Sequence, residues 1–404
     1  MFRSFFYRIL KSRHFWRYAT FSEIAELYTA RTLHIAAMYL GSGFASVFLY
    51  KEGYSLVFIM SFWAIYFLFR TLIAPLIGLF AARFGVAQGS LVSNIIYIPA
   101  MIALGFVPEV GLPTIIIFGI CMGLSISMNE VCYAIQFSKV KNVLHAGKEI
   151  GFMNILEKIA ISVSPIIGGL IALAFGAQVT MWVAGFLFAV AALPLLIATK
   201  QIERHQQIIV QGFPWRMAMP SIMARGAIGF DIVATSTIWG LFIAIIILPS
   251  AGNDIYAILG LLSSIAIVVA IIASLSYGKI IDNKKGGSLL KIGVGANALV
   301  HISRSFVTTP IGAVGVNIVN EAATTAQNMA FLRGMFDTAD LSGHRIMYLI
   351  GIEIANDIGA TISCIVMVIC ASFIGGADGF HVFFVVAAFV ILFVGSARFR
   401  LYRK

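Results

Sequence analysis

The chain has 404 residues, 60% of them hydrophobic and only 11% charged, with a mean hydropathy of +0.97. A soluble domain carries about 25% charged residues, so a soluble globular class is excluded. Apolar runs long enough to cross a ~30 Å hydrocarbon core recur from Tyr28 to Arg398, which excludes a β-barrel and a soluble enzyme on a single anchor.

The first residues, 1–27, mix Arg and Lys with aromatics and lack a continuous apolar core or a small-residue cleavage site. They read as an interfacial amphipathic segment and not as a cleaved signal peptide. Six spans are then predicted at about 28–50, 54–81, 86–106, 110–137, 151–174 and 177–199. A polar connection, KQIERHQQIIVQGFPWR, follows and is too hydrophilic to span. Six more spans are predicted at about 221–248, 252–281, 286–305, 308–333, 345–374 and 377–397. The expected organisation is an N-terminal bundle over 28–199, a cytoplasmic linker over 200–220, a C-terminal bundle over 221–397 and a tail over 398–404. The four cysteines, Cys121, Cys132, Cys364 and Cys370, lie in apolar stretches and read as small buried hydrophobes.

Lys and Arg are retained on the cytoplasmic side of a membrane protein. With the N-terminus inside, the cytoplasmic segments collect Arg83, Lys139, Lys148, Arg216, Lys279, Lys284, Lys285, Arg345 and Arg398 among others, and the outer side keeps only Lys51 and Arg304. Both termini are expected at the cytoplasmic face of a plasma or inner membrane. The net charge of +11 is then a record of topology, and no nucleic-acid partner is expected.

The two halves carry matching loops. Gly78-Leu-Phe-Ala-Ala-Arg83-Phe-Gly85 follows the second span, and Gly278-Lys-Ile-Ile-Asp282-Asn-Lys-Lys-Gly286 follows the eighth. In these loops the sequence resembles the major facilitator superfamily, whose loop after the second helix carries a G-x-x-x-D-R/K-x-G signature. The second copy matches in Gly278, Asp282 and Gly286, while the first has Ala82 where the family has Asp. Asn129-Glu130 is echoed by Asn320-Glu321, and Glu157 by Glu353. In the fifth span Gly151, Ala160, Ser164-Pro165 and Gly168-Gly169 have the spacing of the family's antiporter motif, with Ala160 and Ser164 in place of two glycines. Small residues there let helices approach closely. The resemblance implies an all-α membrane protein of twelve helices in two pseudo-symmetric six-helix bundles, a monomer that exchanges a small-molecule substrate for protons across the lipid bilayer.

A charge at mid-bilayer costs at least ~2.5–3.5 kcal/mol and needs a partner, a wet cavity or a proton. Glu130, Glu157, Asp231, Glu321, Glu353 and Asp357 all fall within spans that, by the resemblance, line or support the central cavity. Asn317, Glu321, Thr324 and Asn328 recur at helical spacing and form a polar face expected to look into that cavity. Asn129, Asn320 and Thr235, which shares a face with Asp231, extend the polar lining. Glu321 lies about eleven residues past Pro310, ~16 Å along a helix, and is the first candidate for proton coupling, with Asp231 second. Glu130, Glu157 and Glu353 serve coupling or a gate between the halves. Glu353 and Asp357, at i and i+4, repel unless one holds a proton. Arg31 and Arg225 are expected to snorkel, with an ion pair or a substrate contact as the alternative for Arg31. Arg70 is expected to pair with a carboxylate of the fourth or eleventh span or to meet an anionic substrate group. No metalloprotease, hydrolase-elbow or phosphate-loop motif is present, so no enzyme activity, metal or cofactor is expected. Proton-coupled export is the leading reading, with uptake of a nutrient or lipid precursor, or a non-transporting scaffold or sensor, as alternatives.

Overall fold

A computed structural model describes residues 21–140, 146–198, 208, 210–250, 254–265 and 267–402. The interfacial segment predicted over 1–27 lies outside the described residues up to position 20, as do residues 200–207 and 209 of the linker. Among the described residues the secondary structure is helical without strands.

Helices occupy each predicted span. The first, α1 (Phe21–Gly41), continues through a 3₁₀ turn into Ala45–Lys51. It is followed by α2 (Leu56–Phe84), α3 (Val86–Gly105), α4 (Leu112–Val140), α5 (Ala146–Phe175) and α6 (Ala177–Ala198). Then come α7 (Trp215–Val233, continuing to Ile247), α8 in two described pieces (Asp254–Ile265 and Ile267–Ile280) and α9 (Gly286–Arg304). The last are α10 (Pro310–Leu341), α11 (Arg345–Phe373) and α12 (Gly376–Leu392). Ser55 starts α2 by accepting from Phe58 N, and Thr309 starts α10 by accepting from Gly312 N, each satisfying an amide that has no partner within its helix.

Eight of these helices are long and apolar enough to cross a membrane by length and composition: α1 to α5, α7, α11 and α12. Both α9, with Lys291, Asn297, His301 and Arg304, and α10, with Asn317, Asn320, Glu321 and Gln327, carry too many polar groups to qualify. Apart from the exposed Lys291, those same groups turn inward, as shown below. The outward face of α2 shows the complementary pattern, with Ile65, Leu68, Leu72, Leu76 and Leu79 exposed at helical spacing while Arg70 on the opposite face is buried. An aliphatic stripe of this kind is what a helix offers to lipid.

Packing repeats with a shift of six helices. The contacts α1–α5, α1–α6, α2–α4, α3–α4 and α3–α6 in the first half correspond to α7–α11, α7–α12, α8–α10, α9–α10 and α9–α12 in the second. Across the halves α2 packs on α11 and α5 on α8, again a matched pair. The loop glycines sit on these two seams. A Cβ at Gly78 would strike Ile350 of α11, and a Cβ at Gly278 would press on Gly147 at the start of α5. Asp282 accepts a hydrogen bond from Gly147 N at 2.9 Å, and Gly286 lies under the Tyr402 ring.

Two apolar clusters hold the bundle, one toward each end. One includes Phe48, Trp63, Phe118, Phe188, Trp239 and Phe384. The other, nearer the end that exposes Arg83, Lys279 and Lys284, includes Ile77, Phe137, Phe213, Phe331, Phe336 and Phe399. Each cluster draws on both halves. Along α1, α2, α5, α10 and α11 the chain passes from one cluster to the other, and Arg31, Arg70, Glu157 with Lys158, Glu321, and Glu353 with Asp357 stand at the crossing.

Close crossings set a testable limit. A Cβ at Gly359 of α11 would collide with the Gly226 carbonyl of α7, whereas a Cβ at Gly295 of α9 meets nothing. Gly359→Val is expected to destabilise the protein by at least about 1–3 kcal/mol through overpacking. Gly295→Ala is expected to be neutral or to stabilise by up to ~1 kcal/mol. Thermal midpoints in lipid nanodiscs, read from intrinsic fluorescence, check both.

Candidate functional site

The layer between the two apolar clusters is built from three groups of side chains. In the first half, Arg31 of α1 gathers three acceptors. Its Nε donates to Glu157 Oε1 at 2.8 Å, and its Nη1 donates to Asn129 Oδ1 at 2.8 Å and Glu130 Oε1 at 2.7 Å. The guanidinium also lies 4.3 Å from the centroid of the Tyr133 ring. The planar fork of arginine suits this arrangement, in which one cation serves acids from two helices at once. Arg31 therefore does not snorkel: its reach ends on Glu130 and Glu157, because two unpaired carboxylates in the interior attract it more strongly than the bundle surface does.

In the second half, Asp231 of α7 is enclosed by α9. Its Oδ1 meets His301 Nε2 at 2.7 Å and accepts from Thr235 Oγ1 at 3.2 Å, while Oδ2 accepts from Asn297 Nδ2 at 2.9 Å. Arg304 donates to Thr235 Oγ1, to His301 Nδ1 at 3.1 Å and to Asn320 Oδ1 at 3.0 Å. Since a guanidinium only donates, His301 Nδ1 accepts, and its Nε2 carries the hydrogen offered to Asp231. Arg304 was expected in an outer loop. It is fully buried, because the spacing of Asn297, His301 and Arg304 puts all three on one face of α9, and that face meets Asp231.

The third group crosses the halves. Lys158 Nζ of α5 donates to Glu321 Oε2 of α10 at 2.6 Å, with side-chain exposures of 19% and 22%. Arg70 of α2 pairs with Asp357 of α11 at 3.1 Å and donates to Ser127 at 3.1 Å. Asn154 of α5 donates to Ser274 of α8 at 2.7 Å. The expected partnership of Arg70 with a carboxylate of the eleventh span is what the structure shows. Lys158 had no assigned partner from sequence. Its place one residue after Glu157 turns it toward the opposite half, where Glu321 stands.

Other expected residues are placed as follows. The polar face of α10 is divided among neighbours: Asn317 accepts from Trp239 Nε1 of α7 at 2.8 Å, Glu321 faces α5, and Thr324 is buried against the Asn320 carbonyl. Asn328 is half-buried. Asn129 and Asn320, paired by the sequence echo, each accept from an arginine, Arg31 and Arg304. In α5, Ala160, Ser164, Pro165, Gly168 and Gly169 are buried, and a Cβ at Gly168 would strike the Leu40 carbonyl of α1. Gly168 thus packs within the first half, and Gly151, against the Ser274 carbonyl of α8, reaches across. Arg83 is exposed beside Phe84 and takes no part in the seam.

The layer thus contains charges of both signs, most of them paired, with several partly accessible: the Glu130 side chain is 31% exposed. Chemically it can bind, release and exchange charge. Among the described residues no group of His, Cys, Asp or Glu has the arrangement to hold a metal ion.

The family model for the Major Facilitator Superfamily matches residues 27–338. No curated protein matches the sequence. Among solved structures, the human organic anion transporter MFSD10 (TETRAN) superposes with a TM-score of 0.64 at 8% identity, over 92% of this chain and 99% of that one. A bacterial homologue of the iron transporter ferroportin, in an outward-facing state, superposes with a TM-score of 0.66 at 10% identity, over 93% and 97%.

The pair across the halves sets its own test. Lys158→Gln and Glu321→Gln each leave one interior charge unanswered and are expected to cost about 1.5–3 kcal/mol. The double variant is expected to recover most of that loss, because no charge is then stranded. Thermal midpoints of the four proteins give the coupling energy, and silent single variants would contradict the pairing.

Proposed function

Because this chain belongs to the Major Facilitator Superfamily, we propose that it is a secondary transporter that exports a small molecule in exchange for protons by alternating access between its halves. The observation that carries this reading is the Lys158–Glu321 pair. It joins helices of opposite halves, it is partly exposed, and it must be broken and remade if the halves rock against one another.

Protonating Glu321 discharges the pair. Lys158 is then held by no carboxylate of the second half, and the seam between α5 and α10 loses its strongest local attraction. Loss of the proton restores it. A proton on Glu321 and a closed pair are thus mutually exclusive, which is the requirement for coupling a gradient to a conformational change. The Arg70–Asp357 pair and the Asp282–Gly147 hydrogen bond brace the other seam and the loop end, acting as gates. Glu130 and Glu157, held on Arg31, line the path with net negative charge and favour neutral or cationic cargo.

Export is favoured by the small-residue spacing in α5, with Gly168 against α1. The basic loop end supports a cytoplasmic placement of both termini in a plasma membrane. The two structural relatives are described as transporters of different cargo, organic anions and iron, which fits a fold whose cargo is set by its interior side chains.

Accumulation of a fluorescent lipophilic cation in pump-deficient cells tests the reading. Expression is expected to lower accumulation several-fold. An uncoupler is expected to restore it, and Glu321→Gln should behave like the empty control. Undiminished export by Glu321→Gln would remove that carboxylate from the coupling step.

A further inference from the structure

Five of the six carboxylates expected in the interior have their charge answered. Glu130 and Glu157 share Arg31, Glu321 has Lys158, Asp357 has Arg70, and Asp231 has His301, Asn297 and Thr235. Glu353 differs. It is only 8% exposed, yet among the described residues it makes no hydrogen bond and no salt bridge.

The charged groups around it come from four helices. Arg225 faces it from α7, Glu130 from α4 and Arg70 from α2, with Asp357 one turn further along α11. Two of these are acids, and Arg70 is already committed to Asp357. Arg225 is also without a hydrogen-bond or salt-bridge partner among the described residues, and its Nε is buried. Asn356, three residues along the same helix from Glu353, has a buried Oδ1 with no partner, as does the Tyr66 hydroxyl on α2. An ionised carboxylate in this setting would have Arg225 as its one uncommitted cation, without a salt bridge to it, against two like charges and with no hydrogen bond of its own, a state costly to keep buried.

We propose that Glu353 carries a proton in this conformation and is a second proton-exchange site, separate from Glu321, with Arg225 as the counter-ion that receives its carboxylate when the proton leaves. The arrangement of helices supplies the trigger. Arg225 and Glu353 belong to the same half, on α7 and α11, whose backbones touch at Gly229 and Asn356. Glu130 belongs to the other half. When the halves move apart, Glu130 and Arg70 are withdrawn together while Arg225 stays on the same half as Glu353, so the cation left there is free to receive the carboxylate as the carboxyl releases H⁺ to water. The role of that proton in a transport cycle rests on the function proposed above, whereas its presence on Glu353 does not.

Infrared difference spectroscopy of the full chain in lipid nanodiscs reads the proton directly, without a cargo. The wild type is expected to show the C=O stretch of a protonated carboxyl at neutral pH, disappearing as the pH is raised. Glu353→Gln should lose this band and, being a neutral isostere, should keep the wild-type thermal midpoint. Glu321→Gln should retain the band, and Glu353→Asp should shift its frequency, which covers the case of a Gln variant that fails to fold. Arg225→Gln should move the disappearance of the band to higher pH. A band that persists in Glu353→Gln, or its absence from the wild type, would overturn the assignment. An unmoved titration in Arg225→Gln would overturn the counter-ion. A wild type that shows the band, but in which a pH gradient drives no flux of a fluorescent lipophilic cation, would count against proton-coupled export of that cation and leave the proton on Glu353.

Discussion

A buried charge has to be answered within reach of its own side chain, and the middle of this protein is organised around that requirement. Two apolar clusters, one toward each end, would form a continuous core if helices α1, α2, α5, α10 and α11 did not each place an ionisable residue where one cluster gives way to the other. The cost of those residues is met by pairing across helices: Arg31 to two glutamates, Arg70 to Asp357, Lys158 to Glu321. Helix directions, seam contacts and the inward turn of α9 and α10 all follow from bringing these partners together.

The two halves solve the same problem differently. In the first, one arginine collects acids from neighbouring helices; in the second, an aspartate collects donors, and Arg304 stands behind them. Asn129 and Asn320 occupy corresponding helices, and each accepts from its half's arginine. The packing is repeated with a shift of six helices, but the polarity of the polar clusters is inverted. A repeat whose two copies carry opposite local charge is suited to pairing across the seam, and the lysine of α5 and the glutamate of α10 are that pairing.

Much of this was legible from residues alone. The spans followed from hydropathy, because lipid-facing stripes such as that of α2 leave long apolar runs. The six-plus-six count of spans came from hydropathy and the central polar stretch, the resemblance of the loops implied two matched bundles, and the glycines at 78 and 278 do lie on the two seams. The pairing of Arg70 was anticipated because a buried arginine has few options. Partner identity was harder. Arg31 was assigned to the surface because depth within a span says nothing about which neighbours lie in reach. Arg304 was assigned to an outer loop because it follows the last apolar residues of its span. The signal that could have placed it was the i, i+4, i+7 spacing of Asn297, His301 and Arg304, the same pattern that singled out the face of α10. Lys158 could be turned away from Glu157 by helix geometry, but no feature of the sequence linked it to Glu321.

The pairs across the halves also impose an order on biogenesis. Lys158 and Glu321 are separated by 163 positions, so the lysine is synthesised long before its acid. At the usual rate of translation the interval is on the order of 10–30 s. During that time α5 is in or near the bilayer with a cation that nothing in the completed first half neutralises, since Glu157 and Glu130 are already held by Arg31. Arg70 waits longer still for Asp357. The first half is therefore a poor guest of the membrane until the second arrives, and the insertion machinery, or water at its lateral opening, has to shelter these two cations until the chain can do so itself.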